Sequence, residues 1–125
     1  MAVIDTSISM TSEMLDEISA ELALLTQTHE VTVVECDTEI HRVYPFEPIK
    51  NVHGRGNTSF LPPFEAEFLQ EHRPDVILYF TDGEGEAPEQ KPPVPVFWCL
   101  MEGGQKPAPW GKEIWMGKPT PEAEK

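Results

Sequence analysis

Apolar residues in this chain fall into short unbroken runs and one regularly spaced stripe, and each pattern predicts a different element. Residues 1–4 form a continuous apolar run, the habit of a central strand covered on both faces. From 11 to about 27, Met14, Leu15, Ile18, Leu22 and Leu25 recur at intervals of three and four, which is one face of a helix. Glu13, Asp16 and Glu17 complement the positive end of that helix, and Thr11 or Ser12 is placed to cap it. The β-branched "VTVVEC" at 31–36 predicts a second strand and "IHRVYPF" at 40–46 a third, joined by a connection short enough for an antiparallel hairpin. A loop over 47–60 carries "HGRGNTSF". Leu61, Phe64, Phe68 and Leu69 then predict a second helix from about 62 to 71, with proline tolerated in its first turn. "DVILYFTDG" at 75–83 and "VPVFWCL" at 94–100 are two more buried strands, and "KEIWMG" at 112–117 adds a short last one.

This order predicts an α/β fold: an open, mostly parallel, Rossmann-like sheet with one antiparallel edge strand and two main helices. The connections after Asp82 are unusual. "GEGEAPEQKPP" at 83–93 and "GGQKPAPWG" at 103–111 are rich in glycine and proline and show no helical period, although a parallel crossover ordinarily uses a helix. Part of the sheet near 96–100 is therefore expected to lack helical cover, leaving that role to a neighbouring domain, a partner or Trp110. One domain is expected over 1–117, followed by a polar, disordered tail at 118–125, "KPTPEAEK". The abrupt start suits either a domain from a longer chain or a chain that enters its core at once.

Charge narrows the function. With 22 acidic against 9 basic residues the net charge is -13, so nucleic acid and anionic membranes are poor partners, while metal ions and basic surfaces are good ones. No apolar run reaches the roughly 20 residues of a membrane span, and no charged leader marks a signal peptide. Cys36 and Cys99 sit inside apolar runs without a C-x-x-C pair, which predicts reduced core residues in a cytoplasmic protein.

In such a sheet, ligands bind beyond the carboxyl ends of the strands. Asp5 ends the first strand and Asp82 the fourth; if those strands are neighbours, the two acids lie side by side. The turn after the first strand adds Ser7 and Ser9, and the 54–60 loop adds Thr58. Five oxygen-bearing side chains with no Cys or His suit a hard divalent cation such as Mg²⁺.

These residues carry a resemblance. "DTSIS" at 5–9, the threonine at 58 in a glycine-flanked loop and "TDG" at 81–83 resemble the metal-ion-dependent adhesion site (MIDAS) of von Willebrand factor A (VWA) domains. More closely, "AVIDTS", "VTVVECDTEIHRVYPF", "GRGNTSF", "RPDVILYFTDGEGEAP" and "PVPVFWCL" look like a bacterial VWA-like domain that follows a metallopeptidase-like region, a likeness covering residues 2–100. The resemblance implies a cation, Mg²⁺ or else Mn²⁺ or Ca²⁺, held by the hydroxyls of Ser7, Ser9 and Thr58, with Asp5 and Asp82 acting directly or through waters. It implies that a partner's acidic residue completes the coordination, so the outcome is metal-dependent protein binding and not turnover. The implied partners are a metallopeptidase-like domain in the same longer chain or a MoxR-type AAA+ ATPase. Two departures stand out: Ile8 occupies a position where many VWA domains have glycine, and Ser59 stands where related sequences often have aspartate.

Other readings remain open on sequence alone. Asp5, Ser7 and Ser9 also suit a helix cap, Asp82 with Gly83 suits a plain turn, and the site also fits a vestigial one on a VWA-like scaffold. Glu84 and Glu86 are expected as solvated loop acids near the site. "VIDTS" also resembles the active-site turn of aspartic proteases, and a retroviral-type homodimer would use two copies of Asp5. A helix beginning two residues after Ser9 argues against that almost all-β fold. His29, His41, His53 and His72 show no ligand spacing and are expected at the surface.

Overall fold

A computed structural model describes residues 1–49, 56–101 and 103–116. Residues 53–55 of the "HGRGNTSF" segment, among them His53, the predicted last residue of the final strand, Gly117, and the predicted tail at 118–125 lie outside the described residues.

The chain runs β1 (Ala2–Asp5), α1 (Ser12–Leu25), β2 (Thr32–Cys36), β3 (Ile40–Pro45), a 3-10 turn (Pro62–Phe64), α2 (Ala66–His72), β4 (Ile77–Thr81), β5 (Val96–Leu100) and β6 (Lys112–Trp115). The strands make one six-stranded sheet in the order β3-β2-β1-β4-β5-β6. Every pairing is parallel except β2 with β3, the expected antiparallel edge pair. From β1 the chain winds first toward β2 and later resumes on the other side at β4. The carboxyl ends of β1 and β4 thus flank the point where the strand order reverses, the place where such sheets bind ligands.

Alternation along the strands sorts the core into two layers. Ala2 and Ile4 of β1 join Leu15, Ile18 and Leu22 of α1 in one cluster. Val3 joins Phe60, Phe64, Tyr79 and Trp98 on the opposite face. Coverage on both faces is why β1, β4 and β5 read as unbroken apolar runs. The Thr11 hydroxyl caps α1, accepting from Met14 N at 3.2 Å. Cys36 and Cys99 are unpaired and lie in opposite layers of the core, and burial pushes both thiols up to about 12.

Two features refine the sequence expectation. The predicted helix over 62–71 is broken: Glu65 is extended (φ -64°, ψ 141°), dividing the proline-led turn from α2. Phe64 packs among Tyr79, Trp98 and Trp110, whereas α2 has no fully buried residue and lays only the half-buried Phe68 and Leu69 against the same layer, so the break seats Phe64 more deeply than the helix that follows. The cover for β5 comes from within the chain. Trp110 lies 5.3 Å from Trp98 between ring centroids; its carbonyl accepts from Trp98 Nε1 at 3.0 Å, and its own Nε1 donates to Pro88 O at 2.9 Å. Each helix-free crossover thus contributes to the aromatic layer that replaces a helix. A parallel α/β sheet is not the nearly all-β fold of a retroviral-type aspartic protease, and that alternative has no support in the architecture.

Candidate metal centre

Register brings the first two pieces together. Asp5 sits opposite Cys36 at the end of β1, and Ile4 sits opposite Phe80, so Thr81 is the neighbour of Asp5 on the β4 side. The Asp5 side chain is fully buried. Its Oδ2 accepts from Thr81 Oγ1 at 2.6 Å, and its Oδ1 accepts from Ser7 N at 2.9 Å and, more weakly, from Thr58 Oγ1 at 3.4 Å. Ser7 Oγ and Ser9 Oγ lie 3.0 Å apart, the first buried and the second exposed. Thr6 N bonded to Cys36 O and Met10 N bonded to Ser7 O hold this turn at both ends. Between the serines Ile8 is 71% exposed, while its N–H donates to Gly56 O at 3.0 Å and ties the turn to the Thr58 loop.

Four of the five predicted residues, Asp5, Ser7, Ser9 and Thr58, are linked in one hydrogen-bonded group. Asp82 is adjacent in electrostatic terms only. It follows β4 directly, its carboxylate accepts from Glu84 N at 3.3 Å and its carbonyl from Gln105 N at 3.0 Å. Among the described residues no hydrogen bond joins it to the other four. Burial first, and then the Asp82 charge, raise the Asp5 pKa, against the hydroxyls of Ser7 and Thr81 and the Ser7 N–H, which lower it. Asp5 has no Lys, Arg or His partner among the described residues, so a buried carboxylate is left with neutral donors alone. Among the described residues no group of three or more His, Cys, Asp or Glu side chains is placed to hold a metal. Any cation here would depend on hydroxyl oxygens, which match a hard ion that retains waters.

Sequence reasoning passed over two residues that shape this site. Thr81, taken only as part of "TDG", is fully buried; its hydroxyl also accepts from Gly83 N at 3.0 Å, which turns the chain just after Asp82. Asp37, read as a hairpin residue, takes Gly56 N on its carboxylate at 3.1 Å and Ser59 N on its carbonyl at 2.9 Å. On its other side the Thr58 loop is held by Phe60 N bonded to Glu86 O at 2.8 Å. Ser59 accepts from Leu61 N with its hydroxyl, and Glu84 and Glu86 are exposed. An acid directly after a strand was the available signal for Asp37, and it was absorbed by the turn assignment.

A family model described as VWA-like domain (DUF2201) matches residues 1–117. The chain belongs to this VWA-like family. No curated protein and no solved structure matches it. The sheet order is consistent with a VWA-type scaffold, typically a non-catalytic interaction domain. No helix among the described residues is long and apolar enough to cross a membrane.

Proposed function

We propose that this VWA-like domain binds one divalent cation through Asp5, Ser7, Ser9, Thr58 and Asp82 and uses it to dock an acidic residue of a partner protein. The supporting observation is the convergence at the buried Asp5 carboxylate of the β1–α1 turn, which donates Ser7 N–H and carries the paired Ser7 and Ser9 hydroxyls, and of the Thr58 hydroxyl from the neighbouring loop. Mg²⁺ is the preferred ion, with Mn²⁺ or Ca²⁺ as substitutes, because every donor is a hard oxygen. Hydroxyl ligands carry no charge. Two carboxylates at most offset the ion's charge, which leaves it attractive to an external carboxylate.

The chain's net charge of -13 makes this economical, since an acidic partner residue would otherwise be repelled. A cation reverses the sign of the potential at one spot. The partners that suit this reading are a metallopeptidase-like domain in the same longer chain or a MoxR-type AAA+ ATPase in the cytoplasm. Its task is binding and not turnover.

Calorimetric titration with Mg²⁺ and Mn²⁺ tests the proposal. Saturable one-site binding that is lost in Asp5→Ala supports it. Equal binding by both proteins assigns the wrong ligands. If neither binds up to millimolar metal, association with the partner proteins in the presence and absence of chelator separates a site completed by the partner from a vestigial one.

A further inference from the structure

We infer that Asp37 is a positioning residue that holds Thr58 at Asp5 and thereby sets the affinity of the cation site, an inference that rests on the metal-binding reading above. Asp37 lies just beyond β2, after the register shift between Glu35 and Cys36, and is 5% exposed. Its two carboxylate oxygens do different work. Oδ1 serves its own hairpin, accepting from Thr38 N, from Glu39 N at 3.1 Å and from His41 Nε2 at 2.7 Å. Oδ2 accepts from Gly56 N at 3.1 Å, and the Asp37 carbonyl accepts from Ser59 N at 2.9 Å. One residue therefore grips the Thr58 loop on both sides of Thr58.

The contact from Thr58 Oγ1 to Asp5 Oδ1 is 3.4 Å, near the limit of a hydrogen bond and too weak to locate a loop by itself. The Asp37 bonds to the loop, at 3.1 and 2.9 Å, are shorter. Gly56, held through its N–H by Asp37, presents its carbonyl to Ile8 N at 3.0 Å, so this one residue couples the hairpin to the Asp5–Ser9 turn. No hydrogen bond joins Asp37 to Asp5, Ser7, Ser9, Thr58 or Asp82 among the described residues. It acts through the loop and not as a ligand. Partners that orient ligands in this way are commonly worth about 10- to 100-fold in metal affinity.

The discriminating variant is Asp37→Asn. Asparagine has one acceptor oxygen and one amide nitrogen, so it serves the hairpin donors or Gly56 N, not both. Mn²⁺ affinity is measured by calorimetry for wild type, Asp37→Asn, Thr58→Val and the double variant, with circular dichroism to confirm folding. The expected result is that Asp37→Asn weakens Mn²⁺ binding about tenfold in the wild-type background and has little further effect once Thr58 is valine, because it acts through that side chain. An unchanged affinity in Asp37→Asn, or an equal loss in both backgrounds, overturns the role of Asp37 while leaving the metal site in place; the second outcome would point to the lost charge alone. Absence of Mn²⁺ binding in wild type overturns the metal reading and the affinity claim together. Amide exchange in the metal-free proteins then decides the positioning claim: faster exchange at Gly56 and Ser59 in Asp37→Asn upholds it, and unchanged exchange overturns it.

Discussion

Thr81 Oγ1 donates to Asp5 Oδ2 at 2.6 Å and accepts from Gly83 N at 3.0 Å, so one buried hydroxyl fixes both the carboxylate at the end of β1 and the turn that follows β4. Thr81→Val keeps the shape of the side chain and leaves a buried carboxylate oxygen and a buried N–H without their partner. The expected cost is about 1–3 kcal/mol in urea denaturation. Thr81→Ser retains the hydroxyl and should lose clearly less; equal losses would assign the effect to packing of the methyl group.

Asp5→Asn should leave the metal-free domain as stable as wild type, or more so. Burial and the Asp82 charge both disfavour an ionised Asp5, as its raised pKa records, and the amide keeps an acceptor for Ser7 N while removing the charge. Mn²⁺ should raise the melting temperature of wild type progressively with concentration and that of Asp5→Asn not at all. Thermal melts of both proteins over a range of Mn²⁺ read both effects.

Asp37 predicts a pH dependence of opposite sign. Burial pushes its carboxyl up, but the His41 ring and the N–H groups of Glu39, Gly56 and Thr38 outweigh that and hold its pKa below the usual value. A depressed folded-state pKa adds stability that is present above the unfolded value of about 4 and is lost as pH falls through the folded one. Besides His41, the titratable groups near it among the described residues include Glu39, 3.8 Å from His41 Nδ1, and the adjacent Cys36. Asp37→Asn should therefore destabilise the domain at pH 7 and make much less difference near pH 2. Urea midpoints at the two pH values check this, and a constant difference would remove Asp37 from the acid transition.

Two glycines in the loops beyond β4 and β5 should respond unequally to alanine. At Gly83 φ is +89° and an added Cβ would sit 1.5 Å from Gln105 O, so Gly83→Ala requires backbone movement beside Asp82. A loss above about 4 kcal/mol, or failure to fold, is expected. Gly103 has φ +82° with nothing within 4 Å of an added Cβ, so Gly103→Ala should cost only the left-handed strain of about 1–2 kcal/mol. Soluble expression and chemical denaturation distinguish the two.

What the sequence revealed follows from how local each signal is. Apolar runs located β1, β4 and β5 because both of their faces are covered, and the three-four spacing located α1. Acids immediately after such runs marked Asp5 and Asp82. Thr81 escaped notice because a threonine ending a strand is ordinary until the strand beside it is known to end in a buried carboxylate. Asp37 escaped because its hairpin role explains its presence equally well, and its hold on Gly56 spans residues with no shared pattern. The break at Glu65 and the placement of Trp110 depend on how an aromatic layer packs, which no periodicity in the proline-rich segments encodes.

β2 and β3 are consecutive and share a short turn, so they can pair as soon as both exist, whereas β1 meets β4 only across a long loop of chain, Ala2 opposite Leu78. During synthesis Asp5 and the two serines emerge before β4 and wait, without Thr81 or Asp82 beside them, until it has been made. Closure of that long-range pairing is what turns a polar turn into a site. A chain halted before β4 would carry the opening motif complete and still lack the hydroxyl that holds its carboxylate, so the hydrogen-bonded group around Asp5 arrives with the finished sheet and not before it.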